Sequence, residues 1–150
     1  MLNADTRSWT GVRPRQHLLP RLDPGSPHLP LNLCTLYALV ANEAPLAAAR
    51  REVAEELGIA YRGGRLLVVD WVGPHGPWDD SLAFVFDGGV MLENDQARIR
   101  LLDGELNGYR SVAPGEASRM LRPYVESRIR EALDATNDGT ARYLNNGRPV

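Results

Sequence analysis

Apolar residues recur at helical spacing over residues 45–57. The positions that share one stripe of such a helix are Leu46, Ala49 or Arg50, Val53 and Leu57. Pro45 suits the first helical position, and Gly58 suits the end of the helix. Ala44, in contrast, is a poor N-cap, because it has no side-chain oxygen. The pattern predicts an amphipathic helix that packs its stripe on a core.

Two β-prone runs follow the predicted helix, over residues 65–72 and 81–86. The Gly- and Pro-rich segment 73–80 between them predicts a loop. Shorter strands are predicted at 98–102 and 108–112, and a last strand is predicted at Tyr143 and Leu144.

Two helices are predicted after Pro114. The better of them covers 124–135, with Val125, Ile129 and Leu133 on one face. The apolar segment 31–41 is compatible with a buried strand or with the start of a helix, and periodicity does not decide between them.

Residues 1–30 differ from the rest of the chain. Five of the eleven prolines fall here, and no helical or strand periodicity is sustained. We therefore divide the chain into an irregular Pro/Arg-rich arm, 1–30, and one domain, 31–150. The alternation of strands and helices in that domain predicts an α/β or α+β fold with a mixed sheet.

Composition excludes several classes of protein. Of 150 residues, 43% are hydrophobic and 24% charged, which is typical of a compact domain. The only cysteine is Cys34, so no internal disulfide or cysteine-pair zinc site can form. A net charge of −2 argues against bulk nucleic-acid binding, and no apolar run is long enough to span a membrane. The first ten residues lack the pattern of a secretion signal, so we expect a cytoplasmic protein.

Three glutamates stand out on the helix predicted at 45–57. Glu52, Glu55 and Glu56 occupy positions i, i+3 and i+4, so their carboxylates project from one side. They repel one another near the unfavourable end of the helix dipole, and Arg51 alone cannot neutralise all three. A hard cation such as Mg²⁺ would offset this charge. An ordinary solvated charged face is the alternative interpretation.

The full segment R-E-V-A-E-E-L-G-I over 51–59 resembles the second half of the Nudix box, the signature of hydrolases that act on a nucleoside diphosphate linked to another moiety. Glu43 lies where the box has its isolated glutamate, since seven residues separate it from Arg51. The resemblance covers about residues 42–150. It implies a Nudix-type fold, in which a mixed sheet is sandwiched between helices.

The resemblance also implies roles for individual residues. Metal binding falls to Glu52, Glu55 and Glu56, and catalysis to Glu52 and Glu55 together with Arg51. Glu43 and Gly58 support the box structurally. The implied cofactor is Mg²⁺, with Mn²⁺ as a substitute, and the implied reaction is hydrolysis of a pyrophosphate bond. Whether Glu52 is a metal ligand or the general base stays open.

The glycine segment that opens the box is absent. Tyr37 stands where the leading glycine belongs, and Leu36 replaces the glycine before it. Residues 1–30 show no pattern for the strands that precede the box in the family, so we expect N-terminal strands that are atypical or missing. One hypothesis is that residues 1–41 are replacement sequence, for instance from a reading-frame shift.

Substrate selection is less determined by the sequence. Trp71 lies just before the loop 73–80 and Trp78 lies inside it. Their indoles are candidates for stacking on a nucleobase, although loop tryptophans commonly just cover core edges. The family often uses one more acid, for which the candidates are Asp79, Asp80, Glu93 and Asp95. The expected partner is a nucleotide-type small molecule.

Three functions are compatible with these patterns. The first is a Mg²⁺-dependent pyrophosphohydrolase. The second is a catalytically impaired Nudix-fold protein that serves binding or regulation, and the third is a protein that binds a partner through its arm. A sheet without its usual first strands would expose an edge, so we also expect a homodimer.

Overall fold

The computed structural model describes residues 19–20, 33–36, 42–61, 63–77, 79–89, 91, 93–101, 111–112 and 114–150. The described residues form the strands β1 (Leu19–Pro20), β2 (Leu33–Leu36), β3 (Leu66–Val72), β4 (Ser81–Asp87), β5 (Ser111–Val112), β6 (Arg142–Asn145) and β7 (Arg148–Pro149). The same residues form the helices α1 (Pro45–Leu57), α2 (Glu93–Gln96), α3 (Pro114–Met120) and α4 (Pro123–Asp138).

Five strands form a mixed sheet in the order β2-β4-β3-β6-β7. Only the β3–β6 pair is parallel, and the other three pairs are antiparallel. The parallel connection requires a crossover, which α4 supplies on its way to β6. A separate pair joins β1 to β5 in parallel. The predicted mixed sheet is confirmed.

Helices cover both faces of the sheet. Val85 and Phe86 are consecutive in β4, so their side chains point to opposite faces. Val85 packs in a cluster with Ala132 and Ala135 of α4. Phe86 packs with Ala48 and Ala49 of α1, which themselves are fully buried. The sheet is thus sandwiched between α1 and α4, as the resemblance implied.

Helix α1 has the bounds that the sequence predicts. Ala44 is its N-cap, without a side-chain hydrogen bond, and Pro45 opens the first turn. Gly58 ends the helix at φ 67°, a left-handed conformation that glycine adopts at little cost. Its amide donates to the carbonyl of Ala54. These local signals depend on the helix alone, which explains why the sequence located it.

The predicted strand at 98–102 is wrong over the described residues 98–101, which carry no strand. Ile99 is buried instead, and the amide of Arg100 donates to the carbonyl of Leu57 at 2.9 Å. The segment therefore lies against the end of α1 rather than in a sheet. Of the strand predicted at 108–112, residues 111–112 form β5, and the others lie outside the described residues.

The predicted apolar face of α4 contributes to the core. Ile129 and Leu133 pack against the core cluster, and both are half-buried, as is Val125. The buried positions of the helix are Arg128, Ala132 and Ala135, which the sequence pattern did not single out.

Within the segment predicted as an irregular arm, the structure describes β1, a strand of two residues. The segment 31–41, for which the sequence left strand and helix open, contains the strand β2. Leu36 belongs to β2 and pairs with Phe84, whereas Tyr37 lies outside the described residues.

Candidate active site

The candidate active site is built on α1, where one arginine contacts three glutamates. Nε and Nη2 of Arg51 donate to the carboxylate of Glu43, at 3.0 Å to Oε1 and 2.9 Å to Oε2. Nη1 donates to Oε1 of Glu52 at 2.8 Å and to Oε2 of Glu55 at 2.9 Å. This fork geometry suits guanidinium, which binds carboxylates through two parallel hydrogen bonds.

The spacing of the box explains this arrangement. Glu55 lies one helical turn after Arg51, so the two side chains meet on the helix surface. Glu43 lies in the segment just before α1, next to Asn42, whose φ of 67° is left-handed. Through the Glu43 carboxylate, Arg51 ties this entry segment to the acidic face.

The three predicted metal-binding glutamates differ in burial. Glu52 and Glu56 are buried, at 8% and 5% of their accessible surface, whereas the side chain of Glu55 is 48% exposed. Glu52 and Glu56 follow Ala48 at intervals of four, so the acidic row continues the row that packs against the core. A fully solvated charged face, the alternative interpretation, does not describe this helix.

The surroundings of Arg51 stabilise its positively charged form. The hydrogen bond to Glu43 is the largest influence and raises the pKa of the guanidinium above its ordinary value, and the contacts with Glu52 and Glu55 act in the same direction. Burial opposes them. Arg51 therefore stays cationic and offsets part of the negative charge on three carboxylates.

The carboxylates provide the oxygen donors that a hard divalent cation prefers. Two of them already converge on one positively charged nitrogen, Nη1 of Arg51, so this face of α1 fits a cation in its donor chemistry. Among the described residues, however, no group of three or more Asp, Glu, His or Cys side chains is arranged to hold a metal ion. Glu52 and Glu55 are turned toward Arg51 instead.

Trp71 lies on the sheet face that α1 covers, because its neighbour Asp70 points to α4. Its indole Nε1 donates to Oδ2 of Asp80 at 3.0 Å, so the loop after β3 fixes the ring. Trp78 lies outside the described residues. Asp79 and Asp80 lie in the loop and are exposed, and Glu93 and Asp95 belong to α2.

The sequence interpretation missed a buried ion pair near this loop. Nη2 and Nε of Arg128 lie 2.6 and 2.7 Å from Oδ2 of Asp70, and both side chains are 0% exposed. The amide of Gly147 donates to Asp70 as well, at 3.0 Å. A signal existed: Asp70 alternates with Val68 and Val72 on the buried face of a strand, where a carboxylate needs a partner.

The Asn146–Gly147 turn connects this ion pair to the loop after β3. The amide of Gly73 donates to Oδ1 of Asn146 at 3.0 Å, and the amide of Asn146 donates to the carbonyl of Trp71 at 2.8 Å. Gly147 has a φ of 77°, and a Cβ there would lie 2.5 Å from the carbonyl oxygen of Tyr124. Only glycine fits this close approach without displacement.

Comparisons with known proteins agree with the architecture. No helix in the described part of the chain is long and apolar enough to cross a membrane. Searches of curated proteins and of solved structures each returned no match. The family model of the NUDIX domain matches residues 38–135. This match spans about two thirds of the chain and contains α1 with all four contacting side chains, and the chain therefore belongs to the Nudix family.

Proposed function

We propose that the chain hydrolyses a pyrophosphate bond in a nucleoside diphosphate linked to another moiety, with Mg²⁺ as cofactor. The observation that carries the proposal is the acidic face of α1, where Arg51 brings Glu52 and Glu55 to one point and Glu43 anchors it. Family membership supports the reaction class. Mn²⁺ would substitute for Mg²⁺, because both accept carboxylate oxygens.

Glu52, Glu55 and Glu56 would hold the ion. When bound, the ion would supply charge neutralisation at the diphosphate and would lower the pKa of the attacking water. The buried position of Glu52 suits either ligation or proton abstraction, and both roles belong to the proposal. Glu43 keeps Arg51 in place, and Arg51 orients the acids. The helix itself is fixed by Ala48 and Ala49 against the sheet.

The nucleotide part of the proposal is supported by Trp71. Its ring is held by the hydrogen bond to Asp80, and it lies so close to Gly73 that a Cβ there would be 3.2 Å from the indole. A fixed indole on the α1 side of the sheet is suited to stacking on a base. The substrates proposed here and the Mg²⁺ they require are available in the cytoplasm, where we place the activity.

The test is product release from a panel of nucleoside triphosphates, dinucleotides and nucleotide sugars, with a base-free polyphosphate for comparison. We expect Mg²⁺-dependent turnover that favours the nucleotides. Glu56→Gln should lower kcat at least ~100-fold, because it removes one negative charge from the acidic face while nearly preserving shape. Glu126→Gln, a matched change in a partly exposed pair on α4, should leave kcat unchanged.

A catalytically impaired binding or regulatory protein is the second candidate. It is favoured by the missing glycines at 36 and 37 and by the engagement of Glu52 and Glu55 with Arg51. Nucleotide binding without turnover by the folded protein would select this function over the first.

A further inference from the structure

Nη1 of Arg51 occupies the point at which two carboxylates of the acidic face converge. It lies 2.8 Å from Oε1 of Glu52 and 2.9 Å from Oε2 of Glu55. The other two nitrogens of the same guanidinium are engaged elsewhere, since both bind Glu43. Arg51 thus has one fixed half and one half that bridges the acids.

A divalent ion that binds these two oxygens at the point where they converge takes the place of Nη1. A guanidinium nitrogen and a metal ion cannot share the same lone pairs, and two cations at this separation repel each other. Because the guanidinium is rigid and planar, Nη1 can leave only if the whole group tilts about its Nε–Nη2 edge. The Glu43 carboxylate, which accepts from Nε and Nη2, has to follow that tilt to keep its hydrogen bonds.

We propose that Arg51 is an exchangeable internal counter-ion: its Nη1 bridges Glu52 and Glu55 in the metal-free protein and leaves them when the metal binds, while Nε and Nη2 stay on Glu43. This inference rests on the proposed function, because it takes the metal to bind at these carboxylates. In this account Arg51 positions Glu52 and Glu55 for the metal, and it also competes with the metal for their oxygens.

The consequence is that removing the Nη1 contact strengthens metal binding. Arg51→Lys keeps the positive charge but offers a single nitrogen, which cannot bind Glu43 and bridge the other two acids at once. Arg51→Gln removes both charge and bridge. Arg50→Gln is the matched control, since Arg50 is exposed and its Nη2 donates only weakly, at 3.3 Å, to the carbonyl of Gly63.

The experiment is a titration of the full chain with Mn²⁺ alone, in which free Mn²⁺ is measured by electron paramagnetic resonance. We expect Kd to fall about tenfold in Arg51→Gln and at least about threefold in Arg51→Lys, from the strength of charge-assisted hydrogen bonds. Arg50→Gln should match the wild type. Saturable binding that appears only in the Arg51 variants would contradict the exchange, because Nη1 would then not leave the acids in the wild type.

An unchanged or raised Kd in Arg51→Lys overturns the exchange, because Arg51 would then only preorganise the acids. Tightening in Arg51→Gln alone overturns it too, because charge removal would explain the effect. In both cases the proposed metal site survives if Glu56→Gln abolishes saturable binding. No saturable binding in the wild type or in either Arg51 variant defeats the metal site and the exchange together.

A second measurement on the wild type covers variants that fail to fold. In nuclear magnetic resonance spectra of the Arg51 side chain, saturation with diamagnetic Mg²⁺ should shift or broaden the signals of the Nη1 hydrogens. The signal of the Nε hydrogen, which is bonded to Glu43, should stay unchanged. Unperturbed Nη1 hydrogens at Mg²⁺ saturation would contradict the exchange.

Discussion

At the scale of single residues, two arginines of the described part of the chain contact acids in very different surroundings. Arg51 is partly exposed and contacts three acids on the candidate active site. Arg128 is fully buried and contacts Asp70 in the centre of the sheet. Burial lowers the pKa of Arg128 to about 10, and burial also raises the pKa of Asp70, against hydrogen bonds from backbone amides that lower it. Each of these buried groups depends on the other for compensation.

We predict that Asp70→Asn destabilises the protein by about 3–5 kcal/mol, because it leaves the buried guanidinium without a counter-charge. Adding Arg128→Met should restore most of the loss, since Asn at position 70 can still accept from the Gly147 amide. Urea denaturation measures both. Glu126→Gln, in a surface pair, should cost less than about 1 kcal/mol. A double variant no more stable than Asp70→Asn alone would refute the assigned cause.

The same two arginines show what the sequence could predict about residues. Arg51 could be singled out because it opens the segment 51–59 that resembles the Nudix box, and its contacts lie within eight residues of it. The Arg128–Asp70 contact spans 58 residues and depends on how α4 docks onto β3. No local pattern encodes that distance, although a carboxylate on a buried strand face indicated that some partner existed.

At the scale of elements, the bounds of the helices and strands with clear local signals were predicted well, and the packing between elements was not. Helix α1 starts and ends where Pro45 and Gly58 indicate. The strands β3 and β4 match their β-prone runs to within a residue. The strand prediction at 98–102 is wrong over 98–101, because the alternation of apolar and polar residues there reflects the burial of Ile99 beside α1. It does not reflect pairing with another strand.

Helix α1 also offers a stabilising change. Ala44 occupies the N-cap with φ −70° and ψ 144° and makes no side-chain cap. Ala44→Ser should therefore add about 0.5–1 kcal/mol to the free energy of unfolding, because the hydroxyl accepts from an amide of the first turn. The same change at the exposed helical position Ala47 should lower stability by a few tenths of a kcal/mol. Thermal unfolding compares the two, and equal shifts would exclude capping as the cause.

At the scale of the whole molecule, one edge of the sheet bears on assembly. Among the described residues, β2 pairs with β4 only, whereas the opposite edge strand, β7, is two residues long and contains Pro149, which blunts pairing. We predict that the chain forms a homodimer through the edge at β2. Light scattering over a concentration series should give twice the chain mass, and a constant mass of 16.6 kDa would contradict the prediction.

The fold class was predictable as a whole, because the family signature at 51–59 and the alternation of elements point to the same architecture. The surroundings of the three glutamates on α1 were less predictable from the sequence. Sequence spacing placed Glu52, Glu55 and Glu56 on one side of α1, but it did not show that two of them are buried while the third stays exposed. The burial of these side chains depends on how α1 packs on the sheet. The sequence predicts the individual strands of that sheet but not this packing.

The central claim, Mg²⁺-dependent hydrolysis of a phosphoric anhydride at the acidic face of α1, is tested most directly by ³¹P nuclear magnetic resonance in ¹⁸O-enriched water. The wild-type protein with the best substrate of the panel should cleave one anhydride bond and place a single ¹⁸O in one product phosphate. Chelation of Mg²⁺ should stop the reaction, and Glu56→Gln should slow it at least ~100-fold. A folded protein that produces no Mg²⁺-dependent cleavage of any panel member would contradict the claim.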